Sequence, residues 1–100
     1  MTVKIFIKRK FKKGTLKKAH HALNMSRYGA MEQRDYISSE TLSDIEDPTR
    51  ITVISMWRNR EGWEAWKNSD KRKAIEAEIS ELTEGPAEYE HLSPGMPFEE

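Results

Sequence analysis

The chain has 100 residues, a length typical of one domain. It contains no cysteine, which excludes disulfides, thiolate metal sites and a cysteine nucleophile. Its 36% hydrophobic residues form no run near the roughly 18 that a membrane helix needs, and the N-terminal apolar burst is too short for a signal peptide. We therefore expect a cytoplasmic protein with one domain over residues 1–92 and a flexible tail over residues 93–100.

The net charge at pH 7 is zero, but the charges are unevenly distributed. Residues 1–31 carry nine Lys or Arg and no acid, whereas the chain after Lys73 carries eight Glu and no Lys or Arg. A basic block of this kind can indicate a nucleic-acid partner. The alternative is that the two ends of the chain lie together and neutralise each other, and we expect this arrangement, with no nucleic-acid or membrane partner. In it, the first strand carries lysines that face the glutamates of the last strand, namely Lys4, Lys8 and Lys10 opposite Glu88 and Glu90.

The first third of the chain predicts a strand followed by a helix. Residues 3–11 are β-branched and aromatic with interleaved lysines, which is typical of a strand. Thr15 is expected to cap a helix that runs to about Met31. The predicted inward face of this helix has apolar spacing of three or four residues and consists of Leu16, Ala19, His20, Leu23 and Ala30.

The rest of the chain predicts three more strands and a broken helix. The strands are expected over residues 36–43, 50–58 and 87–92. Asn59 is expected to cap a short helix, and Ser69 a longer one that follows it. The resulting order is β-α-β-β-α-β, an α+β ferredoxin-like domain with an antiparallel sheet of strand order 4-1-3-2.

Two strands bear on assembly because they are apolar at consecutive positions. Ile5-Phe6-Ile7 and Val53-Ile54 must place apolar side chains on both faces of the sheet. The helices of one chain cover only one face. A second copy of the chain is the simplest cover for the other face, so the pattern predicts a homodimer.

A series of short motifs resembles the antibiotic biosynthesis monooxygenase domain, in order and in spacing. The resemblance covers about residues 3–92 and implies a dimeric α/β barrel with the helices outside. One departure is Arg34-Asp35, where the family often has Pro-Gly. The motifs are Tyr36-Ile37-Ser38-Ser39-Glu40-Thr41-Leu42, Asp47-Pro48, Val53-Ile54-Ser55-Met56-Trp57, Trp63, Trp66, Ser69, Arg72, Gly85-Pro86 and Tyr89-Glu90.

The same resemblance implies a cofactor-independent oxygenase, which acts on a small aromatic quinol or anthrone without metal or flavin. A dry cavity between helices and sheet would hold the substrate and stabilise its anion. His20 or Tyr28 would serve as the catalytic base, and His20 is favoured because it shares a predicted face with Leu16 and Leu23. The substrate-binding candidates are Asn24, Arg27, Trp57 and Trp66, although His20 on a helix surface and the two tryptophans in the core are alternative interpretations that stay open.

The sequence argues against haem degradation and against a metal site. A haem-degrading branch of the family needs an Asn where this chain has Ile7 and a His where it has Glu76, so haem degradation is not expected. A metal site built from His20, His21 and His91 is not expected either, because adjacent helical histidines diverge.

The second hypothesis is a non-catalytic, dimeric protein that binds a small molecule or takes part in a stress response. An enzyme should have a closed cavity of roughly 300 Å³ or more with convergent polar groups. A scaffold would instead fill that space with Met25, Met31 and Met56.

Overall fold

The computed structural model describes residues 1–97 and contains one four-stranded antiparallel sheet with three helices. Residues 98–100 of the predicted tail lie outside the described residues. Within the described residues, no helix is both long and apolar enough to cross a membrane. The elements, in chain order, are β1 (Val3–Lys10), α1 (Leu16–Met31), β2 (Tyr36–Ser43), β3 (Arg50–Trp57), α2 (Arg60–Lys67), α3 (Asp70–Leu82) and β4 (Glu88–Leu92).

The strand order is β2-β3-β1-β4, which confirms the predicted ferredoxin-like sheet. β1 lies in the middle and pairs antiparallel with β3 and β4, in a register that sets Ile5 opposite Ser55 and opposite His91. The odd-numbered residues of β1 are buried under the helices, because successive side chains of a strand point to opposite faces. We call this the helix face of the sheet and the other the open face.

The predicted inward face of α1 is confirmed in part, because Ala19 and Ala30 are buried and Leu23 is half-buried. Leu16 and His20 are exposed instead. Near the end of the helix a large ring comes close, since a Cβ on Gly29 would lie 2.4 Å from Cη2 of Trp66. The face that meets the rest of the protein therefore consists of Ala19, Ala22, Gly29 and Ala30.

Two of the three predicted helix caps are confirmed. The side chain of Asn59 accepts a hydrogen bond from the backbone N–H of Gly62 at 2.7 Å, and Ser69 accepts one from Arg72 at 3.2 Å. The prediction for Thr15 is wrong, because its hydroxyl donates to the carbonyl oxygen of Lys12 at 2.7 Å and makes no cap hydrogen bond. This bond holds the turn before α1 instead of the helix end.

The open face has an apolar centre with charges around it. Phe6 of β1 is paired with Ile54 of β3, and both are half-buried, as the apolar pattern predicted. Lys8 forms the expected ion pair with Glu90 of β4. The ion pair raises the pKa of Lys8, mainly through the hydrogen bond to Glu90 and its negative charge. A broad groove of about 730 Å³ runs over this face.

The charge pairing differs from the prediction at Lys10. This lysine was expected to face the glutamates of β4, but it lies 3.0 Å from Asp47 in the turn between β2 and β3. The basic start of the chain is thus partly neutralised by its neighbours in the fold.

Candidate functional site

His20, which the sequence analysis favours as the catalytic base, lies on the exposed side of α1. His20 Nε2 is 3.2 Å from the side-chain nitrogen of Asn24, one helical turn later. Arg27 and Tyr28 are also exposed, Tyr28 to 57%. These four side chains share one helix, and none of them lines the open-face groove or the cavity described below. Their catalytic and binding roles stay predictions.

The two tryptophans of the predicted site lie in the core. Trp57 is fully buried, and its indole N–H donates a hydrogen bond to Ser55 Oγ at 2.5 Å. Trp66 is almost fully buried and packs against Gly29 of α1. The core interpretation of both residues therefore agrees with their burial.

A cavity of about 360 Å³ lies on the helix face, between the start of α2 and the end of β4. We call it the α2–β4 cavity. Val3 and Ile5 of β1 form its apolar wall, and His91 and Asn59 supply polar groups. The cap hydrogen bond to Gly62 fixes the orientation of the Asn59 carboxamide. The remaining residues of the lining are Met1, Arg60, Glu61, Leu92 and Ser93.

The imidazole of His91 is exposed and stacks on the ring of Tyr89. Its ring lies nearly parallel to that of Tyr89, with 6.3 Å between centroids and an angle of 15° between planes. The hydroxyl oxygen of Tyr89 in turn accepts a hydrogen bond from Arg72 Nη2 at 2.9 Å. Imidazole is the side chain best suited to move protons near neutral pH, so this arrangement can supply a positioned base or acid to the cavity.

Behind Tyr89 lies a cluster of buried charges. Glu76 Oε1 is 2.6 Å from Arg9 Nη2 and 3.2 Å from Arg72 Nη2, so one carboxylate forms ion pairs with two buried guanidinium groups. Burial lowers the pKa of Arg9, and the charge of Glu76 opposes this shift. The Nε atom of Arg9 is buried and has no hydrogen-bond partner within the described residues. The cluster therefore places excess positive charge under the sheet, on the side of Tyr89.

Sequence reasoning missed His91 as a site residue and considered it only as a weak metal ligand. The usable signal was the alternation of a strand, because His91 and Tyr89 are two positions apart on β4 and so share the helix face. The register places His91 opposite Ile5, at the wall of the cavity. Nothing local in the sequence reveals that the start of α2 leaves space there.

The comparisons with known proteins agree on fold and family. Residues 3–78 match the family model described as antibiotic biosynthesis monooxygenase. A putative antibiotic biosynthesis monooxygenase from Nitrosomonas europaea has a TM-score of 0.87 at 14% identity, covering 96% of this chain and 92% of that one. SnoaB, a cofactor-independent oxygenase from Streptomyces nogalater, has a TM-score of 0.86 at 8% identity, covering 99% and 98%.

A conserved protein from Methanosarcina mazei has a TM-score of 0.86 at 15% identity, covering 92% of this chain and 91% of that one. No curated protein matches the sequence. At these identities the solved structures show a common fold, whereas the family model matches three quarters of the chain directly. The chain belongs to the antibiotic biosynthesis monooxygenase family.

Proposed function

We propose that the protein is a cofactor-independent monooxygenase of a small aromatic compound, such as an anthrone or a quinol, and that the α2–β4 cavity holds the substrate. The observation that carries this proposal is the cavity of about 360 Å³ that joins an apolar wall to the imidazole of His91. A volume of this size suits a small aromatic molecule. The family membership and the similarity in fold to a cofactor-independent oxygenase support the same reaction class.

The proposed reaction on an anthrone begins with removal of a proton from its CH₂ carbon by His91. The resulting anion gives one electron to O₂, and the substrate radical and superoxide combine to form a peroxide anion at that carbon. The peroxide anion takes the proton back from His91 and becomes a hydroperoxide. Loss of water then leaves a carbonyl, so one CH₂ group and one O₂ become one C=O group and one water. Val3 and Ile5 offer an apolar wall to the ring system of the substrate, and the Asn59 carboxamide is proposed to bind the oxygen of the anion.

The non-catalytic alternative required methionines to fill the space between helices and sheet. Met25 and Met31 are instead 43% and 53% exposed on α1. Met56 lies opposite Lys4 on the open face. The methionines therefore leave the α2–β4 cavity unfilled, which supports the enzyme hypothesis through the volume and polar groups of the cavity. The expected closure is not met, because Arg60, Glu61 and His91 of the lining are exposed.

Oxygen uptake with a panel of anthrones and hydroquinones, without added metal or flavin, tests the proposed function. We expect His91→Ala to lose at least about 100-fold in rate, the size of a typical general-base contribution. His21→Ala, an exposed histidine on α1, is the matched control and should retain the wild-type rate. Loss of activity in His20→Ala with full activity in His91→Ala would instead assign the base to α1. Tight binding without oxygen uptake in the wild type would favour the scaffold hypothesis.

We also propose that the protein is a homodimer in which the open faces of two sheets pack together. Phe6 and Ile54 form the apolar centre of this face, and no helix within residues 1–97 covers them. The ion pair between Lys8 and Glu90 leaves the surrounding charges balanced, so two copies can approach without strong repulsion.

A further inference from the structure

The outer surface of the helix layer carries opposite charges on its two longer helices. α1 contains three Lys or Arg and no acid, whereas residues 74–82 of α3 contain three Glu and no base. Lys17 and Lys18 of α1 are exposed, and so are Glu78 and Glu81 of α3. Within residues 1–97, none of these four side chains forms an ion pair. The fold therefore leaves part of the basic start of the chain without a counter-charge.

The two helices lie side by side and run in opposite directions. The hydroxyl oxygen of Thr15, just before α1, is 3.3 Å from the carbonyl oxygen of Leu82, the last residue of α3. At the other end, Lys71 Nζ near the start of α3 is 3.2 Å from Glu32 Oε1, directly after α1. The basic start of α1 therefore lies level with the acidic end of α3.

The outward side of each helix carries a row of side chains separated by four, three and four residues. This spacing is the one with which two helices pack along a seam. The row on α3 is exposed throughout and consists of Asp70, Ala74, Ala77 and Glu81. The row on α1 is exposed except for the half-buried Asn24 and consists of Lys17, His21, Asn24 and Tyr28. Each helix therefore offers a seam to a neighbouring helix.

We propose that the helix layers of two copies of the chain pack together about a two-fold axis that runs between α1 and α3, parallel to both. The axis lays α1 of one copy over α3 of the other in the opposite direction, and symmetry repeats the contact. Lys17 then meets the partner's Glu81. At the other end of the seam, the hydroxyl of Tyr28 meets the partner's Asp70.

Size matches along this contact as well as charge. In the middle of the seam, His21 and Asn24 lie over the partner's Ala77 and Ala74, so large side chains face small ones. The lysine at the start of α1 also gains from the helix dipole of the partner, because the end of a helix carries partial negative charge. In its own helix Lys17 lies in the first turn, where that dipole disfavours a cation.

The association is expected to be weak, because two polar helices from each copy bury less surface than a permanent interface does. In dilute solution we therefore expect only the proposed dimer through the open faces. That dimer leaves the helix layer outside, so both contacts can form together and the product at high concentration is a tetramer. The contact through the helices does not depend on the oxygenase function.

Sedimentation equilibrium from about 5 µM to about 500 µM protein tests the contact by mass action. The average mass of the wild type is expected to double over this range. Lys17→Glu and Glu81→Lys should each prevent the doubling, because like charges then face each other at both symmetry-related points. An equimolar mixture of the two variants should regain it, since every changed charge then meets an opposite one. Arg58→Glu, at an exposed position outside both helices, is the matched control and should behave as the wild type does.

Three results would overturn the proposal: a constant wild-type mass, a doubling that persists in Lys17→Glu or Glu81→Lys, or a mixture that does not associate. Circular dichroism establishes that each variant is folded, and Lys17→Glu places an acid in the first turn of α1, where the helix dipole favours it. The mass in dilute solution tests the open-face dimer separately. A dilute monomer that doubles contradicts the open-face dimer alone, whereas a dilute dimer that does not double contradicts the helix contact alone.

Discussion

At the scale of single residues, the contact between Gly29 and Trp66 sets the distance between α1 and α2. A glycine inside a helix ordinarily costs about 0.5–1 kcal/mol relative to alanine. Here the missing Cβ is what admits the Trp66 ring, since an added Cβ would lie 2.4 Å from Cη2. The packing of Trp66 against Gly29 therefore outweighs the low helix propensity of glycine.

We expect Gly29→Ala to lower the free energy of unfolding by about 1–3 kcal/mol, the range for an overpacked core. Urea denaturation followed by tryptophan fluorescence measures the change. In the double variant with Trp66→Phe, which removes the distal atoms of the indole ring, the cost of the alanine should shrink. A Gly29→Ala protein that is more stable than the wild type would contradict this close contact.

At the scale of elements, two kinds of contact hold α3 against the sheet: apolar packing and the buried ion pairs of Glu76. Ile79 is buried against Phe11 in one of two hydrophobic clusters. Nearby, Glu76 of α3 binds Arg9 of β1 and Arg72 of its own helix. Removing the carboxylate leaves two guanidinium groups under the sheet without their counter-ion. Its loss therefore lowers the free energy of unfolding more than the loss of an exposed ion pair would.

Glu76→Ala is expected to lower the free energy of unfolding by about 3 kcal/mol, near the low end for a broken buried pair because a quarter of the Glu76 side chain (24%) is exposed. Glu78→Ala, an exposed glutamate on the same helix, is the matched control and should stay within about 0.5 kcal/mol of the wild type. Thermal denaturation at neutral pH compares the three proteins. Equal losses in both variants would show that helix propensity, not the charge cluster, determines the effect.

The strands and two of the three helix caps could be predicted from the sequence, but the orientation of α1 could not. The strand over residues 36–43 and the caps at Asn59 and Ser69 depend on local patterns, and the structure confirms them. The inward face of α1 depends on what fills the space opposite it. Leucines usually mark such a face, but the residues that α1 buries are small, and Gly29 among them admits the indole of Trp66, while Leu16 and His20 are exposed.

The candidate cavity was also beyond sequence reasoning. Its wall and its histidine come from β1 and β4, and its rim from the start of α2. Only the pairing of Ile5 with His91 brings these segments together, and such long-range register is not encoded in any short motif. The family resemblance predicted a cavity between helices and sheet, but the candidates named for it are not among the residues that line the α2–β4 cavity.

At the scale of the whole molecule, the open face decides the state of assembly. Phe6 and Ile54 are only half-buried in one chain, and a groove of about 730 Å³ runs over them. We expect Ile54→Lys to convert the proposed dimer into a monomer, because a second sheet would have to bury an unpaired charge. Sedimentation velocity gives the mass, and Ile45→Lys, at a fully exposed position between β2 and β3, should sediment as the wild type does. An Ile54→Lys dimer would contradict the proposed interface.

The central place of β1 has a consequence for synthesis on the ribosome. Lys8 and Glu90 are 82 positions apart, and β4 must be made before the second edge of β1 is paired. Until then a nascent chain displays a strand with unpaired backbone groups, which is a template for association with other chains. The lysines spaced along β1 counter that hazard, since like charges keep two such edges apart while translation continues.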